Sequence, residues 1–141
     1  MDHTDNAAAL AAMGAIGLVA LLIGLAILIL ICYLVSKCYT AIPEQNRSMS
    51  PGMVWLLLIP CFNIVWNFWV YPGLAKSYKA YFDSKGDTTV GDCGAQIALW
   101  YCISTACCII PFVNWLAGPA SLVLLIIFLV KTYDLKSKIK A

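Results

Sequence analysis

The sequence predicts an all-α, polytopic helical membrane protein with about four hydrophobic segments. Hydrophobic residues make up 62% of the chain and charged residues only 11%, with a mean hydropathy of +0.86. Soluble domains are typically about 25% charged. No charged residue occurs in 7–35, 51–75 or 93–130, and about 20 apolar residues suffice to cross a bilayer as a helix. The length of 141 residues fits one membrane domain.

Taken in order, the predicted segments are 7–36, 51–75, 95–110 and 112–131, with polar connectors at 37–50 and 76–94 and a basic tail at 132–141. The flank "MDHTDN" is acidic, whereas the first region of a signal peptide is basic, so the first segment is interpreted as a permanent span. Ser50 and Pro51 are suited to the N-cap and first turn of the second segment.

A recurring five-residue motif, Ile-Pro-x-x-Asn, occurs between or within these segments, starting at Ile42, Ile59 and Ile110. Proline removes a backbone donor and disfavours helix for the residue before it. Asparagine is a preferred N-cap. The motif is therefore interpreted as a stop-and-restart signal, which predicts helix breaks at Pro60 and Pro111, followed by helices capped by Asn63 and Asn114. The unequal spacing of the copies favours convergence over internal duplication.

Small residues mark one face of the first segment. Gly17, Ala20 and Gly24 fall near one side of a helix, where another helix could approach closely. This pattern predicts a helix contact and a homo-oligomer.

Charge counts give two possible topologies. Four spans with the N-terminus inside place seven Lys and Arg residues inside and two outside, and the positive-inside rule then favours two cytoplasmic termini. In the alternative, 51–75 enters the membrane and returns through a break at Pro60, which puts the N-terminus outside and all nine basic residues inside. Four spans are preferred, because re-entrant backbone must be buried against protein or water.

The same residues argue against most kinds of chemistry. Coupled transporters rely on intramembrane ionisable groups, which these blocks lack, and a single histidine, His3, supports neither a catalytic triad nor a zinc site. The loop "DSKGDTTVGDCG" fails as an EF-hand, because Gly94 stands where Glu belongs. We therefore expect no enzyme activity, cofactor, metal or nucleic-acid partner. The cysteines suggest buried apolar residues, with Cys93 expected to be the exposed thiol.

The second segment carries a more specific pattern, W-x-x-x-I-P-x-x-N-x-x-W, formed by Trp55, Ile59, Pro60, Asn63 and Trp66. It resembles the hydrophobic domain of small bacterial multi-span membrane proteins of unknown function, over roughly residues 37–138. The resemblance implies a bacterial inner-membrane protein and supplies no activity.

Two functions follow as hypotheses. The first is a non-enzymatic membrane scaffold or interaction protein that self-associates, with the lipid bilayer and other membrane proteins as candidate partners. The alternative is a small channel or facilitator for neutral solutes or ions, lined by Asn63, Asn67 and Asn114. Asn63 and Asn67 are four residues apart and share a helix face, so either packing or a polar pathway could use them.

Overall fold

The computed structural model describes residues 3–140, apart from the side chains of Pro60 and Lys140. It contains four α-helices, α1 (His3–Thr40), α2 (Pro60–Ser84), α3 (Ala95–Cys107) and α4 (Pro111–Lys140), and two 3-10 helices, Glu44–Asn46 and Pro51–Leu58. The described residues include no strand, so the all-α prediction is confirmed. Helix α2 continues beyond the predicted second segment to Ser84, into the polar connector at 76–94, and the basic tail continues α4 to Lys140.

Helix α1 ends just before the first Ile-Pro-x-x-Asn motif, and Arg47 caps that end. The last carbonyl groups of a helix lack intrahelical donors. The Arg47 guanidinium supplies them, since Nε donates to the Tyr39 carbonyl at 3.0 Å and an Nη donates to the Ile42 carbonyl at 2.8 Å. Its positive charge also complements the negative end of the helix dipole. The chain after Pro43 is thereby held against the helix it has just left.

Residues 51–75 fold back on themselves, and we call them the first hairpin. Its outward leg is the 3-10 helix Pro51–Leu58 and its return leg is the first half of α2. Cross-leg hydrogen bonds join Trp66 Nε1 to the Met53 carbonyl at 2.9 Å and, near the tip, Asn63 Nδ2 to the Leu57 carbonyl at 2.6 Å. The chain thus turns back at Pro60, and the two legs contact each other instead of continuing as one kinked helix.

Both ends of the first hairpin lie beside the C-terminal end of α1. Ser36 Oγ donates to the Pro51 carbonyl at 3.2 Å, and Tyr39 Oη donates to the Val70 carbonyl at 2.6 Å. Ser48 Oγ donates to the Gly73 carbonyl at 2.9 Å. A Cβ built on Gly73 would lie 2.9 Å from Ser48 Oγ, so only glycine allows the connector to approach α2 this closely.

Helices α3 and α4 form the second hairpin, which packs against α2. Its tip lies between Cys107 and Pro111, and its two ends meet where Lys131 Nζ contacts Asp92 Oδ1 at 3.2 Å. The core between the hairpins is aromatic: Tyr71 contacts Tyr101 and Phe128 edge-to-face, with ring centroids 4.8 and 5.6 Å apart. Such arrangements are the preferred geometry of aromatic pairs.

Two helices are long and apolar enough to cross a membrane. They are His3–Thr40 and Pro111–Ile139, with mean hydropathies of 3.2 and 2.2 in their most apolar windows. Helix α3 is apolar but short, at 13 residues. The structure thus yields two candidate spans, where the sequence predicted about four.

Candidate membrane interface

The first 29 residues of α1 that the structure describes, 3–31, form a projecting apolar helix. The first fully buried residue of α1 is Cys32, whereas Leu10, Met13 and Ile16 are each 70% exposed. A helix that is hydrophobic all round is normally surrounded by protein or lipid. Since packing within the chain involves only the last part of α1, this projecting helix needs a covering that the chain itself does not provide.

The predicted contact face Gly17, Ala20 and Gly24 lies on this projecting helix. All three residues are exposed, and a Cβ built on either glycine would have no other atom within 4 Å. A shallow groove of about 360 Å³ runs past Ala20 between neighbouring apolar side chains. The three small residues are thus exposed, and no other part of the described chain covers them.

Asn63 does not cap α2, which corrects one prediction. The helix begins at Pro60, after Ile59 in extended conformation, and no side chain caps it; proline suits this first position because its missing N–H would be unpaired anyway. Asn63 instead bonds backwards to the Leu57 carbonyl at the end of the 3-10 helix. The break at Pro60 is confirmed, but Asn63 satisfies the helix that ends there, not the one that starts.

Asn67 extends the hydrogen bonding of Asn63 into the protein interior. Its Nδ2 donates to Asn63 Oδ1 at 2.9 Å, its carbonyl accepts from Cys102 Sγ at 3.2 Å, and only 2% of the residue is exposed. The predicted proximity of Asn63 and Asn67 is therefore present, and their amides pair with each other. Buried polar groups are expected to be paired in this way.

The tip of the second hairpin is apolar and open. A break occurs at Pro111 as predicted, and α4 begins there. Asn114 is exposed, and its side chain makes no hydrogen bond with any described residue, so its predicted capping role is wrong. Beside it, Phe112 is 94% exposed and Trp115 is 90% exposed. Asn114 therefore shares no hydrogen bond with the Asn63–Asn67 pair.

The charged side chains gather at the opposite end of both hairpins. We call this the basic end; it contains the last turn of α1, the connector at 41–50, residues 76–84 of α2, the loop at 85–94 and the last part of α4. Its described basic residues are Lys37, Arg47, Lys76, Lys79, Lys85, Lys131, Lys136 and Lys138. Contacts tie these segments together, including the Lys131–Asp92 pair and a cavity lined by both Lys37 and Lys136.

Asp92 organises the start of α3 at the basic end. Backbone N–H groups of Gln96 and Gly94 donate to its carboxylate at 3.0 and 3.1 Å. These bonds, helped by Lys131, lower the pKa of Asp92 to about 2 because they favour the ionised form. Asp92 lies three residues before the start of α3, and an acidic residue just before a helix is a recognised start signal that could have identified it from the sequence.

The cysteines differ from expectation at two positions. Cys93 is 1% exposed, and burial followed by the nearby Asp92 charge raises the pKa of its thiol. Cys61, at the tip of the first hairpin, is exposed instead. Cys93 adopts a positive φ of 54°, and the polar sequence around it gave no sign of its burial.

No protein family matches this chain, and neither curated proteins nor solved structures show a significant match.

Proposed function

We propose that this protein is an integral membrane scaffold without enzymatic activity, built from α1 as a single crossing and two hairpins that each enter and leave on the same side. The observation that carries this proposal is the separation of exposed apolar surface from charge. The projecting helix and the hairpin tips are apolar and exposed, while the basic end holds every described Lys and Arg. Water would not stabilise such an apolar surface, whereas lipid would.

Helix dimensions agree with this arrangement. The charge-free part of α1, 6–36, would be about 45 Å long at 1.5 Å per residue, against about 30 Å of hydrocarbon. The outward leg of the first hairpin, with eight residues, would reach only about 16 Å as a 3-10 helix. In the second hairpin, α4 from Pro111 to Lys131 would extend about 30 Å. The first hairpin thus reaches about half-way, and the second reaches further.

The orientation follows from the charges. From Lys37 onward the chain carries nine basic and five acidic residues, whereas the described N-terminal end of α1 carries Asp5. The positive-inside rule then places the basic end in the cytoplasm and the N-terminus outside. This topology replaces the expectation of two cytoplasmic termini, and a bacterial inner membrane remains the proposed location.

A scaffold role fits the polar groups better than a pathway does. Asn63 and Asn67 are paired with each other and with the backbone, and Asn114 is on the other hairpin. Two of the three amides that the channel hypothesis needs are thus used for packing, and the third does not join them. We further propose that the face with Gly17, Ala20 and Gly24 contacts a second copy, because close helix approach in lipid depends on such small residues.

Two measurements test this proposal. Short epitope tags at each end, probed with antibody on intact and permeabilised cells, should show the N-terminal tag outside and the C-terminal tag inside. Recovery of the protein in the soluble fraction after alkaline extraction would contradict membrane insertion altogether.

Self-association has its own test with a matched control. Gly17→Leu with Gly24→Leu should abolish the oligomer measured by native mass spectrometry in detergent. Ala11→Leu with Ala26→Leu adds similar bulk on the opposite side of α1 and should leave it intact. A monomeric parent protein, or equal effects of both pairs, would contradict the proposed contact face.

A further inference from the structure

Two adjoining cavities lie against α2 at the basic end. The larger, of about 420 Å³, is walled by apolar side chains that include Phe68, Trp69 and Pro72. The smaller, of about 200 Å³, is polar and is lined by the connector residues Gln45, Asn46 and Arg47 and by Ser77 of α2. Ser48 and Lys76 line both. Together they form one cleft, apolar on one side and polar on the other, and we call it the Lys76 cleft.

The polar half of the cleft carries positive charge without a balancing carboxylate. Arg47 and Lys76 line it, and no Asp or Glu does so among the residues that the structure describes. Lys76 is exposed, and neither ion pair found in residues 3–140 involves it. Arg47 is partly occupied with carbonyl groups at the end of α1, but its charge remains. An anionic group would therefore be attracted here.

The apolar half extends from Lys76 towards the hairpin tip. Trp69 lies seven residues before Lys76 on α2, about 10 Å along the helix axis, and is 56% exposed; Phe68 is 37% exposed. In the proposed orientation, the polar half faces the cytoplasmic headgroups and the apolar half faces the hydrocarbon. This order matches that of a phospholipid, which carries its phosphate at the surface and its acyl chains below.

We propose that the Lys76 cleft binds one anionic glycerophospholipid, with its phosphate beside Lys76 and Arg47 and an acyl chain along Trp69 and Phe68. The inference rests on the proposed membrane orientation. A soluble phosphoester would use only the polar half and leave the aromatic wall unused. A zwitterionic lipid would place its cationic group beside Lys76 and Arg47, where like charges repel.

The test uses the full-length protein in nanodiscs of phosphatidylcholine containing a minor fraction of phosphatidylglycerol. Native mass spectrometry after gentle release measures the ratio of the two lipids retained. The wild-type protein should retain one phosphatidylglycerol in preference. Lys76→Gln should reduce that preference about fivefold, since each lysine near a surface contributes to anionic-lipid attraction. Lys79→Gln, which removes an equal charge from the same helix outside the cleft, should change it little.

The apolar half has a separate readout. Trp69→Ala should lower phosphatidylglycerol retention, whereas Trp115→Ala, at the tip of the second hairpin, should not. Equal loss with Lys76→Gln and Lys79→Gln would mean a diffuse surface charge effect and would overturn the site. Displacement of the lipid by millimolar glycerol phosphate would show a soluble phosphoester site instead. If the protein inserts into the nanodisc but retains both lipids equally, the lipid site is refuted and the proposed function is not. If the protein fails to insert, the proposed function is refuted.

Discussion

Single side chains stabilise the breaks in this chain, and Asn63 illustrates how. Its amide joins the end of one leg of the first hairpin to the other leg, through the Leu57 carbonyl at 2.6 Å and Asn67 at 2.9 Å. The sequence placed Asn63 near a helix start but could not tell which backbone group it would bond. A carbonyl left by the ending helix and an N–H of the starting helix are both within reach of a side chain this close to the break.

Asn63→Ala should lower the free energy of unfolding by about 1 kcal/mol, since it removes a partly buried bond and leaves Asn67 with one partner fewer. Asn114→Ala is the matched control. Its side chain is exposed and makes no bond with the described residues, so the change should lie within about 0.5 kcal/mol of zero. Unfolding of both variants in mixed micelles measures the two changes in free energy. Equal losses of stability would instead support the predicted capping role of both asparagines.

Asp92 makes stability depend on acidity in a predictable direction. Its folded pKa of about 2 lies below the ordinary value of 3.8, so its ionised form is favoured by folding. This contribution is fully present above about pH 4 and is lost as the pH falls through 2. Asp92→Asn should therefore lower the free energy of unfolding at neutral pH. It should also weaken the fall of the thermal unfolding midpoint as the solution is made acidic, which thermal unfolding at a series of pH values measures.

Asp83→Asn is the control for that experiment, because Asp83 is exposed and its side chain bonds to no described residue. An unchanged fall of the midpoint in acid for Asp92→Asn would contradict the account of the α3 start.

At the scale of elements, the sequence predicted where the helices break. It did not predict which way the chain runs after each break. Both Ile-Pro steps inside apolar segments end one helix and begin another, as the chemistry of proline requires. Whether the chain then continues across the membrane or turns back depends on contacts that are distant in sequence. Tyr39 with Val70 and Ser48 with Gly73 are 31 and 25 residues apart. The local periodicity of the sequence does not predict such distant pairs.

Gly73 sets how closely the connector packs on α2. Gly73→Ala places a methyl group 2.9 Å from Ser48 Oγ and 3.0 Å from Tyr39 Oη, and overpacking of this kind costs about 1–3 kcal/mol. Adding Ser48→Ala removes one of the two clashing oxygens and should recover part of the loss. Gly14→Ala, with open space around it, is the control. Thermal unfolding in detergent measures all four proteins, and a neutral Gly73→Ala would mean that the two segments are further apart.

At the scale of the whole molecule, composition alone predicted the helical class and the apolar surface. The candidate sites were harder to predict. Asn63 and Asn67 were found because helical spacing is local, whereas the Lys76 cleft joins residues from a connector and a helix that sequence spacing does not connect. Counting the Lys and Arg residues of each connection left two topologies open, because these counts do not show whether a broken segment turns back.

The central claim is that residues 51–75 enter and leave on one side, so the connector at 41–50 and the loop at 85–94 share a compartment. Gln45→Cys and Thr88→Cys, placed singly in a background with Cys61→Ala, can be labelled with a membrane-impermeant thiol reagent in intact cells and in inside-out vesicles. We predict that both positions are protected in cells and labelled in inverted vesicles. Labelling of the two positions from opposite sides would show that 51–75 crosses the membrane once, and would contradict this account.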